Sequence, residues 1–101
     1  MKKTFKLSHK KLNIDRLVDS IKHEVKKYIK RERKRKLPEG ADYWDFDCRF
    51  GADEGISDVI HMSEINKSID AAVEDQFESF YLEILARPAQ RKKNSNDENE
   101  D

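Results

Sequence analysis

The sequence predicts an α+β fold of the ferredoxin-like kind, β-α-β-β-α-β, with two helices on one face of a four-stranded antiparallel sheet. Three observations predict it. Apolar residues recur at helical spacing after Asn13 and again after Ser63. Four other segments are short β-type runs, bounded by glycine, proline or polar turns. With 101 residues, 36% of them hydrophobic, the chain has apolar material for one thin core and not for two.

Taken in order, KKTFKL (2–7) alternates polar residues with Phe5 and Leu7 and reads as the first strand. Asn13 is a suitable N-cap, and Asp15 sits in the first turn, where the helix dipole favours an anion. Ile14, Leu17, Val18, Ile21, Val25, Tyr28 and Ile29 then share one side of a helix running to about Arg35, closed by Pro38 and Gly40. YWDFDCRF (43–50) has period two, with Trp44, Phe46, Cys48 and Phe50 on one face and Tyr43, Asp45, Asp47 and Arg49 on the other. GADEG turns the chain into a third strand at Asp58 to Met62. Ser63 caps the second helix, whose inner positions are Ile65, Ile69, Ala72 and Val73. ESFYLEILA (78–86) is the last strand, with Phe80, Leu82, Ile84 and Ala86 inward. The expected organisation is one α+β domain over residues 1–87 and a disordered charged tail over 88–101.

The net charge of zero conceals a segregation. Residues 1–36 hold fifteen Lys/Arg against four Asp/Glu, and residues 37–86 hold two against thirteen. Of the eleven residues from Lys26 to Lys36, eight are basic: Lys26, Lys27, Lys30, Arg31, Arg33, Lys34, Arg35 and Lys36. A helix reaching Arg35 would run roughly 33 Å, against roughly 20 Å for a six-residue strand. The sequence therefore predicts a cationic helix end projecting past the sheet. Its candidate partner is RNA or another polyanion, bound with counterion release. The alternatives are an acidic protein surface, or a second copy whose acidic half docks on the basic helix. A plain solvated run, stabilised near the helix C-terminus by the dipole, is the bland reading. Burial of Trp44, Phe46 and Phe50 would leave Asp45 and Asp47 on the open sheet face, which repels phosphate and makes the sheet a poor platform for RNA bases.

Other chemistry has weaker support. Asp45, Asp47, Asp53, Glu54 and Asp58 suggest a metal site, with His61 and Glu83 as conceivable additions. A calcium loop counted from Asp45 fails, with Phe50 where glycine belongs and Ile56 where glutamate does. His9, His23 and His61 lack ligand spacing, and no phosphate loop or nucleophile elbow occurs. No catalytic residue, metal ligand or cofactor is assigned, and enzymatic activity has no support. The lone Cys48 rules out an internal disulfide and fits a reducing, cytoplasmic setting. No membrane span or secretory signal is recognisable.

The segments KKTFKL, IKHEVKKYIKRERKRKLPEGADYWDFDCRFG, SEINKSID and ESFYLEILARP together resemble a family of small, uncharacterised bacterial proteins over about residues 1–88. The basic run followed by LPEG and YWDFDCRFG is the distinctive combination. The resemblance implies a bacterial, cytoplasmic protein and carries over no activity, cofactor or catalytic residue.

Overall fold

Seven elements follow one another in the structure, a computed structural model that describes residues 1–8 and 13–91. They are β1 (Lys2–Lys6), α1 (Ile14–Arg33), β2 (Tyr43–Asp53), β3 (Ile56–Ile60), a 3₁₀ turn (Met62–Glu64), α2 (Ile65–Glu74) and β4 (Ser79–Ala89). The order is the expected β-α-β-β-α-β of a ferredoxin-like α+β fold. The sheet runs β1-β4-β2-β3, antiparallel throughout. Each βαβ unit is thus split by a strand from the other half of the chain: β4 separates β1 from β2, and β2 separates β3 from β4.

One face of the sheet is covered by both helices. Phe5 of β1, Phe46 and Cys48 of β2, and Phe80, Leu82 and Ile84 of β4 form one cluster with Val18, Ile21 and Val25 of α1 and Ile65, Ile69 and Ala72 of α2. Trp44 and Phe50 pack against this cluster, so the aromatics of the second strand face inward as their parity predicts. Ile14, expected inward, remains 38% exposed at the first turn of α1. The Met1 ammonium donates to Tyr28 Oη at 3.0 Å and to the Ile84 carbonyl at 2.6 Å, tying the start of β1 to α1 and β4.

Element boundaries depart from the sequence reading where side chains intervene. Asn13 caps α1 as expected, its Oδ1 accepting from the Arg16 N–H at 2.8 Å. Ser63 does not cap the second helix. α2 follows Glu64 with no side-chain cap, and the capping falls on the 3₁₀ turn before it: His61 Nδ1 accepts from the Ser63 N–H at 3.1 Å, and Glu64 Oε1 accepts from the His61 N–H at 2.8 Å. This reciprocal capping pulls the chain out of the sheet after Ile60, which explains why the third strand ends before Met62. The second and fourth strands are longer than expected, at eleven residues each. They pair from Gly51↔Tyr81 to Tyr43↔Ala89, through Pro88, whose missing N–H removes one donor from the ladder. Residues 92–101, the greater part of the expected tail, and His9 lie outside the described residues.

Candidate functional site

Five of the eight basic residues of the run lie on α1, and Lys34, Arg35 and Lys36 follow its end. Lys22, Lys26, Lys30 and Lys34 follow one another at intervals of four, and Arg33 falls beside them. Such residues lie about 6 Å apart along one helix face. Together with His23, Val25 and Ile29 they form one wall of a groove of about 710 Å³. The opposite wall is Met62, Ser63, Ile65 and Asn66, where the chain enters α2. The floor is apolar and the rim cationic. Lys22 is held at one end by Asp70 of α2, at 2.6 Å.

Arg31 and Arg35 belong to the other side. Arg31 lies over the Tyr28 ring at 5.4 Å, and Arg35 over the Trp44 ring at 5.0 Å. Arg35 also pairs with Glu32 at 2.7 Å, and the Trp44 indole N–H donates to the Arg35 carbonyl at 3.0 Å. Arg33 reaches over Phe46, 5.7 Å from its centroid, with a guanidinium nitrogen 3.8 Å from Met62 Sδ. The expected free prong is therefore corrected. The helix ends at Arg33 rather than Arg35, and β2 begins beneath it at Tyr43, so the arginines lie across the Trp44 end of the sheet. A six-residue strand was the wrong measure, because the eleven residues of β2 span roughly 36 Å.

The two charged halves do not cancel each other on this surface. All eight basic residues of the run are exposed. Among the described residues, Lys26, Lys27, Lys30, Arg33, Lys34 and Lys36 form no ion pair, while Arg31 and Arg35 share the single carboxylate of Glu32. Two of the strand acids are engaged elsewhere: Arg87 of β4 clamps Asp47 at 3.0 Å and Asp45 at 2.9 Å across the open sheet face. Hydrogen bonding to Asp47 above all raises the Arg87 pKa further.

That open face is polar and internally paired. Arg49 donates to Ser57 Oγ and to the Ser57 carbonyl, and the Tyr81 hydroxyl donates to Glu83 at 2.7 Å. Tyr81 and Leu85 are the large hydrophobic side chains of β4 on this face. Tyr81 is only 4% exposed, so of the two only Leu85 is accessible. The hydrogen bond to Glu83, with burial, pushes the Tyr81 phenol up to about 12. A proton held more tightly in the folded state stabilises it below the ordinary tyrosine pKa near 10, and this contribution fades as pH rises towards 12. Alkaline denaturation should therefore begin at lower pH in wild type than core packing alone would give. The Tyr81→Phe variant, lacking that proton, should show a shallower loss between about pH 10 and 12; identical pH profiles would refute the assignment.

The metal reading finds no geometry to support it. Among the described residues no three His, Cys, Asp or Glu side chains gather as a metal-binding group. Asp45 and Asp47 hold Arg87, and His61 is committed to its cap. Cys48 is 1% exposed, and burial pushes its thiol up to about 11, the range of an inert core cysteine.

The sequence reading missed the groove itself, with Lys22, His23, Met62, Ser63 and Asn66, and the Arg87 clamp. The lysine row at intervals of four was a readable signal for half of the groove. Nothing local pointed to the other half, since Met62 to Asn66 meets α1 only through tertiary packing.

Comparison with known proteins identifies the chain's relatives. A family model described as a family of unknown function, DUF6172, matches residues 1–95. The chain belongs to that family. The match covers the whole described sheet, both helices and the groove. Comparison with curated proteins gave no match. Comparison with solved structures gave none either. DUF6172 membership thus agrees with the resemblance seen in the sequence, and the functional argument rests on the site alone.

Proposed function

We propose that this DUF6172 protein is a polyanion-binding module of the bacterial cytoplasm, with RNA as the partner. Lys26, Lys27, Lys30, Arg31, Arg33, Lys34, Arg35 and Lys36 make the contacts. The observation that carries the reading is that six of these eight cations have no ion pair among the described residues, although the same chain holds thirteen carboxylates between residues 37 and 86. Unpaired cations spaced along one helix offer phosphates the electrostatic attraction that counterion release makes favourable.

The contacts are to phosphate rather than to bases. Trp44 and Phe46 are packed at the core and overlaid by Arg35 and Arg33, so neither ring is open for stacking. Binding should therefore be largely indifferent to base sequence. With about six phosphates engaged, the logarithm of affinity for a single strand should fall with the logarithm of salt at a slope near −4. Fluorescence anisotropy with mixed-sequence single-stranded RNA checks this. The double reversal K30E/K34E should reduce the slope by about 1.4 and weaken binding at least about tenfold at low salt. Affinity that does not change with salt, or binding to an acidic polypeptide but not to RNA, would overturn the proposal.

A further inference from the structure

The β2–β3 hairpin carries the complement of the groove. β2 pairs with β4 as far as Gly51↔Tyr81, and beyond that point it pairs with β3 alone, through Asp53↔Ile56. The tip thus parts from β4, whose first residues, Ser79 and Phe80, pair with β1 instead. It presents Asp53, Glu54 and Ile56, all exposed, with Asp58 and Val59 following on β3. Ile56 is 70% exposed and Val59 74%, the highest values of any large apolar side chain among the described residues. None of Asp53, Glu54 and Asp58 forms an ion pair there. An exposed isoleucine ringed by carboxylates matches an apolar floor ringed by lysines.

The two surfaces belong to opposite ends of the sheet. Arg33 lies over Phe46, and Asp53 is seven residues further along β2, about 23 Å away. One copy cannot bring its own tip to its own groove without unfolding β2. A second copy can.

We infer that the chain self-associates by seating the β2–β3 hairpin of one copy in the α1–α2 groove of another. Ile56 packs on Ile29, Ile65 and Met62, while Asp53, Glu54 and Asp58 face Lys26, Lys30 and Lys34. Charge complementarity selects this occupant. The edge strand β1, whose rim carries Lys2, Lys3 and Lys6, would be repelled by the same lysines. The inference goes beyond polyanion binding but uses part of the same cationic wall, so RNA and the second copy compete for it.

Sedimentation velocity of the full chain tests the inference. Association should appear at about 0.05 M salt and weaken at least about tenfold at about 0.5 M, as screening increases. K30E/K34E and D53K/E54K should each be monomeric, and a mixture of D53K/E54K with K30E/K34E should associate, since one supplies an intact groove and the other an intact hairpin. D53K/E54K leaves the RNA-binding cations untouched and should keep its RNA affinity, which separates failure of this interface from failure of the polyanion reading. Ile56→Asp supplies a second hairpin variant, expected to be monomeric with an unchanged circular dichroism spectrum. Wild type that stays monomeric at low salt, a mixture that does not associate, or D53K/E54K that associates as wild type does, would each overturn the inference.

Discussion

Phe80→Ala should remove about 4 kcal/mol of unfolding free energy, the largest loss expected of any single side-chain truncation in this chain. Phe80 is fully buried and stands between two other rings: its centroid is 5.3 Å from Phe5 on β1 and 5.0 Å from Phe50 on β2, both at 25° between planes. The three rings join three adjacent strands under the helices. Truncation at Phe80 removes the transfer energy of one ring and leaves a cavity whose walls are backbone-anchored strands, so little collapse is available. It also ends both ring pairings, each worth about 1 kcal/mol beyond area burial. Small domains are stable by roughly 5–15 kcal/mol. The variant should therefore unfold at markedly lower urea, with midpoint the quantity to follow and the slope unchanged. A loss under about 1.5 kcal/mol would mean that the rings do not form the packed centre described here.

Gly51→Ala should cost about 3 kcal/mol, although it adds one methyl group. A Cβ at this position would lie 1.8 Å from the Ile56 carbonyl oxygen and 2.6 Å from the Ser57 Cα. Both obstacles are backbone, which cannot rotate aside as a side chain would. The pairing of β2 with β3 changes register between Gly51 and Asp53, and the close approach follows from that irregularity. To admit the methyl group, β3 must move away from β2, breaking the bulge that aims the hairpin tip. Urea denaturation measures the overall loss. Amide hydrogen exchange should show protection falling most in β3, and equal loss in every strand would contradict a local origin. Because the tip's aim is disturbed, the same substitution should weaken self-association while leaving RNA affinity in place.

Much of the fold was legible because its signals are local. The parity of Trp44, Phe46, Cys48 and Phe50 announced a half-buried strand, and the parity held over its inner residues. The α1 stripe was legible for the same reason, as was its Asn13 cap. Strand ends were less legible. The third strand was displaced by two residues because His61 is not a residue usually read as a cap, yet its imidazole accepts the turn's N–H. The fourth was cut short at Ala86 because Pro88 reads as a stop, whereas here it is accommodated opposite Trp44. For the site, the composition of the basic run was plain, but its division between groove and arginine lid was not. That division depends on which side of α1 meets Met62 and which meets Trp44, contacts that Arg33 makes 29 positions along the chain and Arg35 makes 9 positions along it.

By itself, the sequence determined the element order, the inward faces and the segregation of charge, since each follows from spacing within a dozen residues and from composition. Tertiary structure decided that six of the eight cations of the run form no ion pair among the described residues, that Arg87 rather than the basic helix satisfies Asp45 and Asp47, and that the hairpin tip and the groove lie at opposite ends. Those outcomes depend on distances across the sheet, and a carboxylate at the far end of an eleven-residue strand cannot neutralise a lysine it does not reach.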